Sequence, residues 1–484
     1  MSILTVYKEN KKHRILFEGT PTVQHVLESN GFSFPHPCGG TGRCGTCKIE
    51  IIGNISAPEE SELESGCRLS CRTKLYGDAT VVLCADTSLF AESTVENIKP
   101  LSKKAQKTGA AVDIGTTTVA LSVYDLATGT LLSSKTMLNP QVSVAADVIG
   151  RISAAEEKLE KLQQGILSCI QTLVQNTGYA NRIDQWCITG NTTMLYLLQG
   201  LCPKELAVSP FTAKQLFGEE IDFMGKPAYL PSCMHAFIGA DVTCAVLASK
   251  LYSTPETALL CDIGTNGEIA LWKNKKLYTT STAAGPVFEG VGISCGCHSI
   301  PGAIESLRLE NDNSFSVKTI ENASPVGLCG SGVIDMVSCL LTNGIIDKTG
   351  AMKDASIRLF QNIFFTQEDV RNVQLAKAAI AAGIKTLLDQ TGTKEEDISA
   401  FYIAGGFGTH LNLSSAVKIG LFPACLENKV TFLGNAALKG AASLLTDMPL
   451  REKAHSIARN SEHINLGGNP DFNRHYLEEL NFPE

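Results

Sequence analysis

Ala110-Ala111-Val112-Asp113-Ile114-Gly115-Thr116-Thr117-Thr118-Val119-Ala120-Leu121-Ser122-Val123-Tyr124 is an apolar run, a turn of one glycine and three threonines, and a second apolar run. Short runs rich in Val, Ile and Ala on either side of a Gly-Thr turn predict strand, tight turn, strand. About 150 residues on, Ala258-Leu259-Leu260-Cys261-Asp262-Ile263-Gly264-Thr265-Asn266-Gly267-Glu268-Ile269-Ala270-Leu271 repeats the unit, which predicts two related halves. Further out, Leu131–Thr136 reads as a third strand. Residues 155–176 place Leu159, Leu162, Ile166, Leu167, Ile170, Leu173 and Val174 at helical spacing. Asp184–Thr189 is a strand leading into Gly190-Asn191-Thr192-Thr193-Met194 and another helix. Thr366-Gln367-Glu368-Asp369 has a capping-box pattern and opens a long helix to about Gln390. The strand Ile398–Ala404 then ends in Gly405-Gly406-Phe407-Gly408. Strand and helix patterns that alternate in this way predict α/β architecture.

The turns carry chemistry. Backbone N–H groups of Gly and Thr can bind phosphate oxygens, the hydroxyls add donors, and Asp113 can hold Mg²⁺, usually through water. A lone turn of this kind is common. Two copies followed by a glycine-rich strand end resemble the phosphate-1, phosphate-2 and adenosine motifs of the superfamily of acetate and sugar kinases, heat-shock cognate chaperones and actin. The resemblance implies a two-lobed ATPase that closes on ATP. It places Asp113, Gly115, Thr116, Thr117 and Thr118 at the first phosphate turn. Asp262, Gly264, Thr265 and Asn266 fall at the second, with Glu268 beyond as a water or metal orienter. Gly405, Gly406 and Gly408 would let the backbone pass close to adenosine. Gly330-Ser331-Gly332 reads as a nucleotide-facing backbone turn, and Gly434-Asn435-Ala436-Ala437 as the start of a packing helix.

Before these units stands Pro37-Cys38-Gly39-Gly40-Thr41-Gly42-Arg43-Cys44-Gly45-Thr46-Cys47. Cysteines with five and then two intervening residues can bring thiolates to one inorganic centre, in a close variant of the plant-type [2Fe–2S] spacing. Glycines let the loop fold tightly and aim N–H groups at sulfur. A zinc knuckle is the competing use. A fourth ligand is needed, and Cys67, Cys71 and Cys84 are all candidates. The strands Ile3–Tyr7, His13–Phe17, Lys48–Ile52 and Ala79–Cys84, with a short helix near Thr22–Leu27, make residues 1–85 a small α+β domain. Arg68-Leu69-Ser70-Cys71 resembles the Arg-Leu-Ala-Cys that carries the last ligand in many [2Fe–2S] ferredoxin-like domains. That resemblance implies a β-grasp ferredoxin in which Cys38, Cys44, Cys47 and Cys71 hold the cluster. Residues 86–108 lack periodicity and read as a linker. A flexible coil of that length spans roughly 26 Å. Residues 109–484 are the two-lobed ATPase domain.

With 484 residues, 44% hydrophobic and 19% charged, the chain is long enough for two to four domains with large cores. A net charge of −8 argues against a nucleic-acid or anionic-membrane surface. No apolar run approaches about 18 residues, so no membrane span is expected. Seventeen cysteines without dense spacing are not a secreted disulfide scaffold. Met1–Tyr7 begins a strand pattern rather than a signal peptide. A reducing cytoplasm, and an anaerobe, are expected. Cys295, Cys297, His298 and Cys329 offer metal-binding atoms, but Cys-Gly-Cys is an awkward chelator.

The order of Asp-Ile-Gly-Thr-Thr-Thr, Thr-Gly-Asn-Thr-Thr-Met, Ile-Gly-Ala-Asp-Val, Asp-Ile-Gly-Thr-Asn-Gly-Glu, Gly-Pro-Val-Phe-Glu-Gly, Gly-Ser-Gly and Ala-Gly-Gly-Phe-Gly resembles the reductive activators of corrinoid proteins. These belong to anaerobic methyl-transfer systems. Nearly the whole chain takes part. The resemblance implies that ATP, with Mg²⁺, and an electron from the cluster return inactive Co(II) corrinoid to Co(I), and that the chain is a homodimer. A corrinoid protein and an unidentified electron donor are then the partners. Longer members carry an extra domain between the ferredoxin and ATPase regions, where this sequence has a short linker. A cluster near −400 mV faces an uphill transfer to Co(I), and a deficit of ~120 mV costs roughly 2.8 kcal/mol. The Gly, Ser and Pro content of the 285–304 loop suggests an exposed surface for the corrinoid protein, with Ser294 or Ser299 offering a hydroxyl. Two other uses of the same parts are an activator of a different low-potential enzyme and a small-molecule kinase with a redox-sensing ferredoxin domain.

Overall fold

The computed structural model describes residues 2–8, 11–30, 32, 47–58, 62, 68–82, 107–310, 312, 314–360, 363–406 and 411–483. Strands β1 (Ser2–Lys8), β2 (Lys11–Phe17), β3 (Lys48–Ile55), β4 (Arg68–Leu69) and β5 (Leu75–Val82) form one sheet in the order β2-β1-β5-β3-β4. β1 pairs antiparallel with β2 and parallel with β5. Strict alternation along β1 and β5 turns Leu4, Val6, Ala79 and Val81 to one face. The helix Val23–Ser29 is started by the Thr22 hydroxyl, which accepts from the His25 N–H at 3.2 Å, and it covers that face with Val23, Val26 and Leu27. This is the expected β-grasp arrangement. Cys38, Cys44, Cys67, Cys84, Gly408 and linker residues 86–106 lie outside the described residues, and Thr108 already belongs to the next sheet.

The body contains two six-stranded sheets with the same plan. In the first, β6 (Thr108–Ile114), β7 (Thr118–Asp125) and β8 (Leu131–Leu138) make an antiparallel meander. β9 (Ile183–Gly190) joins β6 in parallel, followed by β11 (Lys226–Leu230) and its hairpin partner β10 (Glu219–Phe223). Helices Val148–Thr177 and Thr192–Leu198 cover one face with Leu162, Ile166, Ile170, Leu173, Met194 and Leu195. In the second, β12 (Ala258–Ile263), β13 (Gly267–Lys273) and β14 (Lys276–Thr282) repeat the meander.

β15 (Ala303–Leu309), β16 (Phe315–Thr319) and β17 (Gly327–Leu328) form a side sheet, and β18 (Ser356–Phe360) with β19 (Ile363–Thr366) a ribbon. β20 (Ala400–Ala404) and β21 (Val430–Gly434) continue the second sheet in parallel from β12, and β22 (Glu462–His463) edges it at β14. Helices Gly330–Thr342 and Gln367–Gln390 cover its outer face. The capping box at Thr366 and Asp369 forms as the sequence predicts.

Helices Ala240–Ser249 and Ala436–Thr446 lie between the two sheets. They share a core with Ala111, Cys187 and Tyr229 of the first sheet and with Leu260, Ala270 and Ala404 of the second. The two Asp-Ile-Gly-Thr turns sit at corresponding ends of the two central strands, and this layering makes them face each other.

Candidate functional site

The first turn is built around a close backbone approach. Gly115 N–H donates to the Thr118 carbonyl at 2.9 Å, and a Cβ on Gly115 would stand 2.6 Å from that oxygen. Three side chains brace it. Asn139 donates to the Gly115 carbonyl at 2.8 Å, Arg151 to the Thr116 carbonyl, and Asn191 to the Thr116 hydroxyl at 3.2 Å. The second turn closes through Gly264 N–H to the Asn266 carbonyl at 3.0 Å. Gly405, at φ +98°, lets β20 leave past β12, since a Cβ there would meet the Ile263 carbonyl at 2.6 Å and an Asp262 carboxyl oxygen at 3.1 Å.

Four carboxyls gather where these elements meet. Asp113 ends β6, Asp262 ends β12, Glu268 stands opposite Asp262 on β13, and Asp241 opens the helix Ala240–Ser249. Each is partly open to solvent but set deep. Burial raises the Asp113 and Asp262 carboxyls to about 7, with repulsion from Asp241 in both cases and from Asp113 in the second. Burial likewise raises Asp241 to about 6 and Glu268 well above its ordinary range. Among the described residues no Lys or Arg pairs with them, and Asn435 alone is seen to donate to Asp113, at 2.9 Å. Acids that raise one another's affinity for protons form a site short of a cation. Among the described residues no three donors converge on one point as direct metal ligands would.

Thr117 and Thr265, one from each turn, both donate to the carboxylate of Glu289, at 2.5 and 2.9 Å. The turns are thus joined across the lobes. Ser331 lies apart from them in its described contacts. Its hydroxyl is 3.3 Å from the Cys329 sulfur, and the helix that begins at Gly330 packs on β15, where a Cβ at Gly332 would meet the Ile304 carbonyl at 2.1 Å. Ser294 is engaged structurally, its N–H donating to Asp369 at 2.7 Å and its hydroxyl to the other carboxyl oxygen of Asp369.

Sequence reasoning passed over several groups here. Asn435 reads as part of a packing helix, yet its side-chain oxygen Oδ1 caps that helix, accepting from Leu438 N–H at 2.7 Å, while its side-chain Nδ2 donates to Asp113. The Gly-Ala-Asp before a helix was the available signal for Asp241, and Glu289 sat in a loop read only as a partner surface.

At the other end of the chain, antiparallel pairing of β3 with β4 places Cys47 next to Cys71. Ser70 N–H donates to the Cys47 carbonyl at 2.9 Å, and the two sulfurs are 3.3 Å apart, buried and not joined in a disulfide. The Cys71 thiol beside it holds Cys47 down to about 6 against the opposing effect of burial. Two buried thiols side by side, one of them disposed to ionise, fit a thiolate-ligated centre.

Comparison with known proteins agrees with these two ends. The family described as "2Fe-2S iron-sulfur cluster binding domain" matches residues 6–76. "RACo middle region" matches 108–254, and "C-terminal domain of RACo the ASKHA domain" matches 256–484. The middle region of that family is therefore, in this chain, the first lobe itself. The chain is 33% identical to the corrinoid activation enzyme RamQ of Eubacterium limosum over 419 residues, covering 77% of this chain and 70% of that one. It is 26% identical to the [Co(II) methylated amine-specific corrinoid protein] reductase of Methanosarcina barkeri, covering 77% of each. A solved reductive activator for corrinoid, iron-sulfur protein superposes with a TM-score of 0.73 at 25% identity, covering 99% of this chain and 98% of that one.

Proposed function

The chain belongs to the reductive activators of corrinoid proteins, and on that premise we propose that it uses ATP to drive an electron from an N-terminal [2Fe–2S] cluster onto a partner's Co(II) corrinoid, returning it to Co(I). One observation carries this reading. Two buried cysteine sulfurs 3.3 Å apart and a junction of two phosphate-type turns crowded with carboxyls occur in a single chain. When bound, the cluster supplies one-electron chemistry, and the nucleotide supplies free energy and the Mg²⁺ charge.

The protein's own residues do the rest. Cys38, Cys44, Cys47 and Cys71 hold the cluster. Thr116, Thr117, Thr118, Thr265 and Asn266 donate to phosphate oxygens. Asp113 and Asp262, with Glu268 and Asp241 behind them, would hold Mg²⁺, which would supply positive charge against the phosphates. Gly405, Gly406 and Gly408 give adenosine a side-chain-free backbone to lie on. Closure of the sheets about helices 240–249 and 436–446 converts nucleotide binding into a change at the lobe edge that carries the 285–304 loop, where the corrinoid protein docks. The active unit is a homodimer in the cytoplasm, fed by a low-potential donor. Among the described residues no helix is long and apolar enough to cross a membrane.

The test is to mix the reduced protein with a Co(II) corrinoid protein and follow the visible spectrum with and without ATP. An ATP-dependent Co(I) signal is expected. Asp113→Ala should remove the ATP dependence and leave the cluster spectrum unchanged, whereas Cys44→Ala should disrupt the cluster spectrum and abolish Co(I) formation while leaving nucleotide binding intact. No Co(I) signal with any corrinoid protein of the same methyl-transfer system would reject the reading, and a phosphorylated small molecule formed without reduced cluster would replace it with a kinase.

A further inference from the structure

We propose that Glu289 is a positioning residue that latches the two phosphate turns together in the absence of nucleotide and passes nucleotide occupancy to the loop 290–302. This rests on the reading of those turns as the phosphate site. The latch is visible as two hydrogen bonds on one carboxylate, from Thr117 of the β6–β7 turn at 2.5 Å and from Thr265 of the β12–β13 turn at 2.9 Å. Each oxygen takes one hydroxyl from one lobe, as two oxygens of a phosphoryl group would. A carboxylate and a triphosphate cannot share these donors, because both are anionic and the hydroxyls are finite. Nucleotide binding must therefore free Glu289.

A fixed cation stands behind the exchange. Arg151 is fully buried. Its guanidinium donates to the carbonyls of Ala145 and Thr116 and to the Gln141 side chain, and no carboxylate lies within ion-pair distance among the described residues. Burial lowers the Arg151 guanidinium to about 10, and the charges of Asp147 and then Glu289 favour its charged form. The same positive charge serves the carboxylate before the exchange and phosphate after it.

The route outward is backbone packing. Glu289 ends the short helical turn Pro286–Glu289, and Gly290 follows at φ +78°. A Cβ on Gly290 would stand 2.1 Å from the Cys297 carbonyl oxygen, and one on Gly296 would stand 2.1 Å from the Gly290 carbonyl oxygen. Cys297 N–H donates to the Leu328 carbonyl at 2.9 Å, and Leu328 N–H to the Cys295 carbonyl at 2.8 Å. Main chain in such contact moves as a unit or breaks apart. Release of Glu289 therefore shifts Cys295–Cys297, in the loop that also carries Ser299. The half-buried Cys297 thiol is a natural reporter.

The experiment uses the full-length, cluster-loaded protein under anaerobic conditions. Binding of a non-hydrolysable ATP analogue with Mg²⁺ is measured by calorimetry, and alkylation of Cys297 is mapped by peptide mass spectrometry. In the wild type the analogue should speed Cys297 alkylation. In Glu289→Gln the analogue should bind about tenfold more tightly, and Cys297 should react at the fast rate without it. Thr265→Val, which cuts the latch from the other side, should also speed alkylation in the absence of nucleotide, and it decides the matter if Glu289→Gln does not fold. Unchanged or weaker binding in a folded Glu289→Gln, or Cys297 reactivity indifferent to nucleotide, overturns the latch. Failure of the wild type to bind the analogue is a different result, and it rejects the nucleotide site itself.

Discussion

At the residue scale, the carboxyl cluster and the thiol pair make separate demands on solution conditions. Asp113 is raised to about 7 from an ordinary value of 3.8 because burial penalises its charge and Asp241 repels it. Between those values the folded chain keeps a proton that the unfolded chain has lost. Stability therefore falls as pH rises through that window, and the loss is complete above the folded value. Asp113→Asn removes this dependence. From pH 5.5 to 7.5 the nucleotide-free wild type should lose about 1–2 kcal/mol relative to the variant in parallel thermal melts. Parallel pH profiles for the two proteins would refute the buried-acid account. The thiols give a second test. Cys71 lies 3.3 Å from Cys47, so Cys71→Ser should abolish or visibly shift the [2Fe–2S] absorption and lower iron content, whereas Cys67→Ser should leave both unchanged. The opposite pattern would transfer the fourth ligand to Cys67.

At the element scale, helices 240–249 and 436–446 cross at a glycine. A Cβ on Gly440 would stand 2.0 Å from the Cys244 carbonyl oxygen, a backbone atom that cannot move aside alone. Alanine would gain about 1 kcal/mol of helix propensity, but overpacking costs about 1–3 kcal/mol. Gly440→Ala should thus lower stability by as much as about 2 kcal/mol and weaken the ATP dependence of corrinoid reduction, with the cluster spectrum intact. A stabilised variant would mean that the helices have room to separate. The same crossing shows what sequence alone conveyed. Both Asp-Ile-Gly-Thr units, the long helix from Thr366 and the β-grasp domain were legible because each follows from local periodicity or turn chemistry. The helix predicted from 155 in fact begins at Val148, where Asp147 caps it by accepting from Gly150 N–H. Asn435, Asp241 and Glu289 were not legible as site residues. Asn435 lies 322 residues from the Asp113 it holds, and Glu289 lies 172 residues from Thr117. Only the layering of two sheets about two helices brings such positions together.

At the scale of the whole molecule, the ferredoxin-like domain has its own core of Leu4, Val6, Val23, Leu27, Leu75 and Val81, separate from the cores of the body. A core this separate, joined to the body by a sequence without periodicity, suits the electron-carrier role proposed above. Tether physics makes this quantitative. For a flexible linker already longer than its span, the effective concentration of one end at the other falls as the −3/2 power of length. Doubling the length of residues 86–106 with Gly/Ser repeats should therefore slow ATP-dependent Co(I) formation only about threefold, with nucleotide affinity and cluster content unchanged. A carrier held in one docked pose would respond differently, because inserted chain would have to be looped out or the docking lost, and the rate would be either unaltered or nearly abolished. The size of the rate change under single-turnover conditions therefore separates a swinging domain from a fixed one, and only the threefold result fits an electron delivered by domain movement.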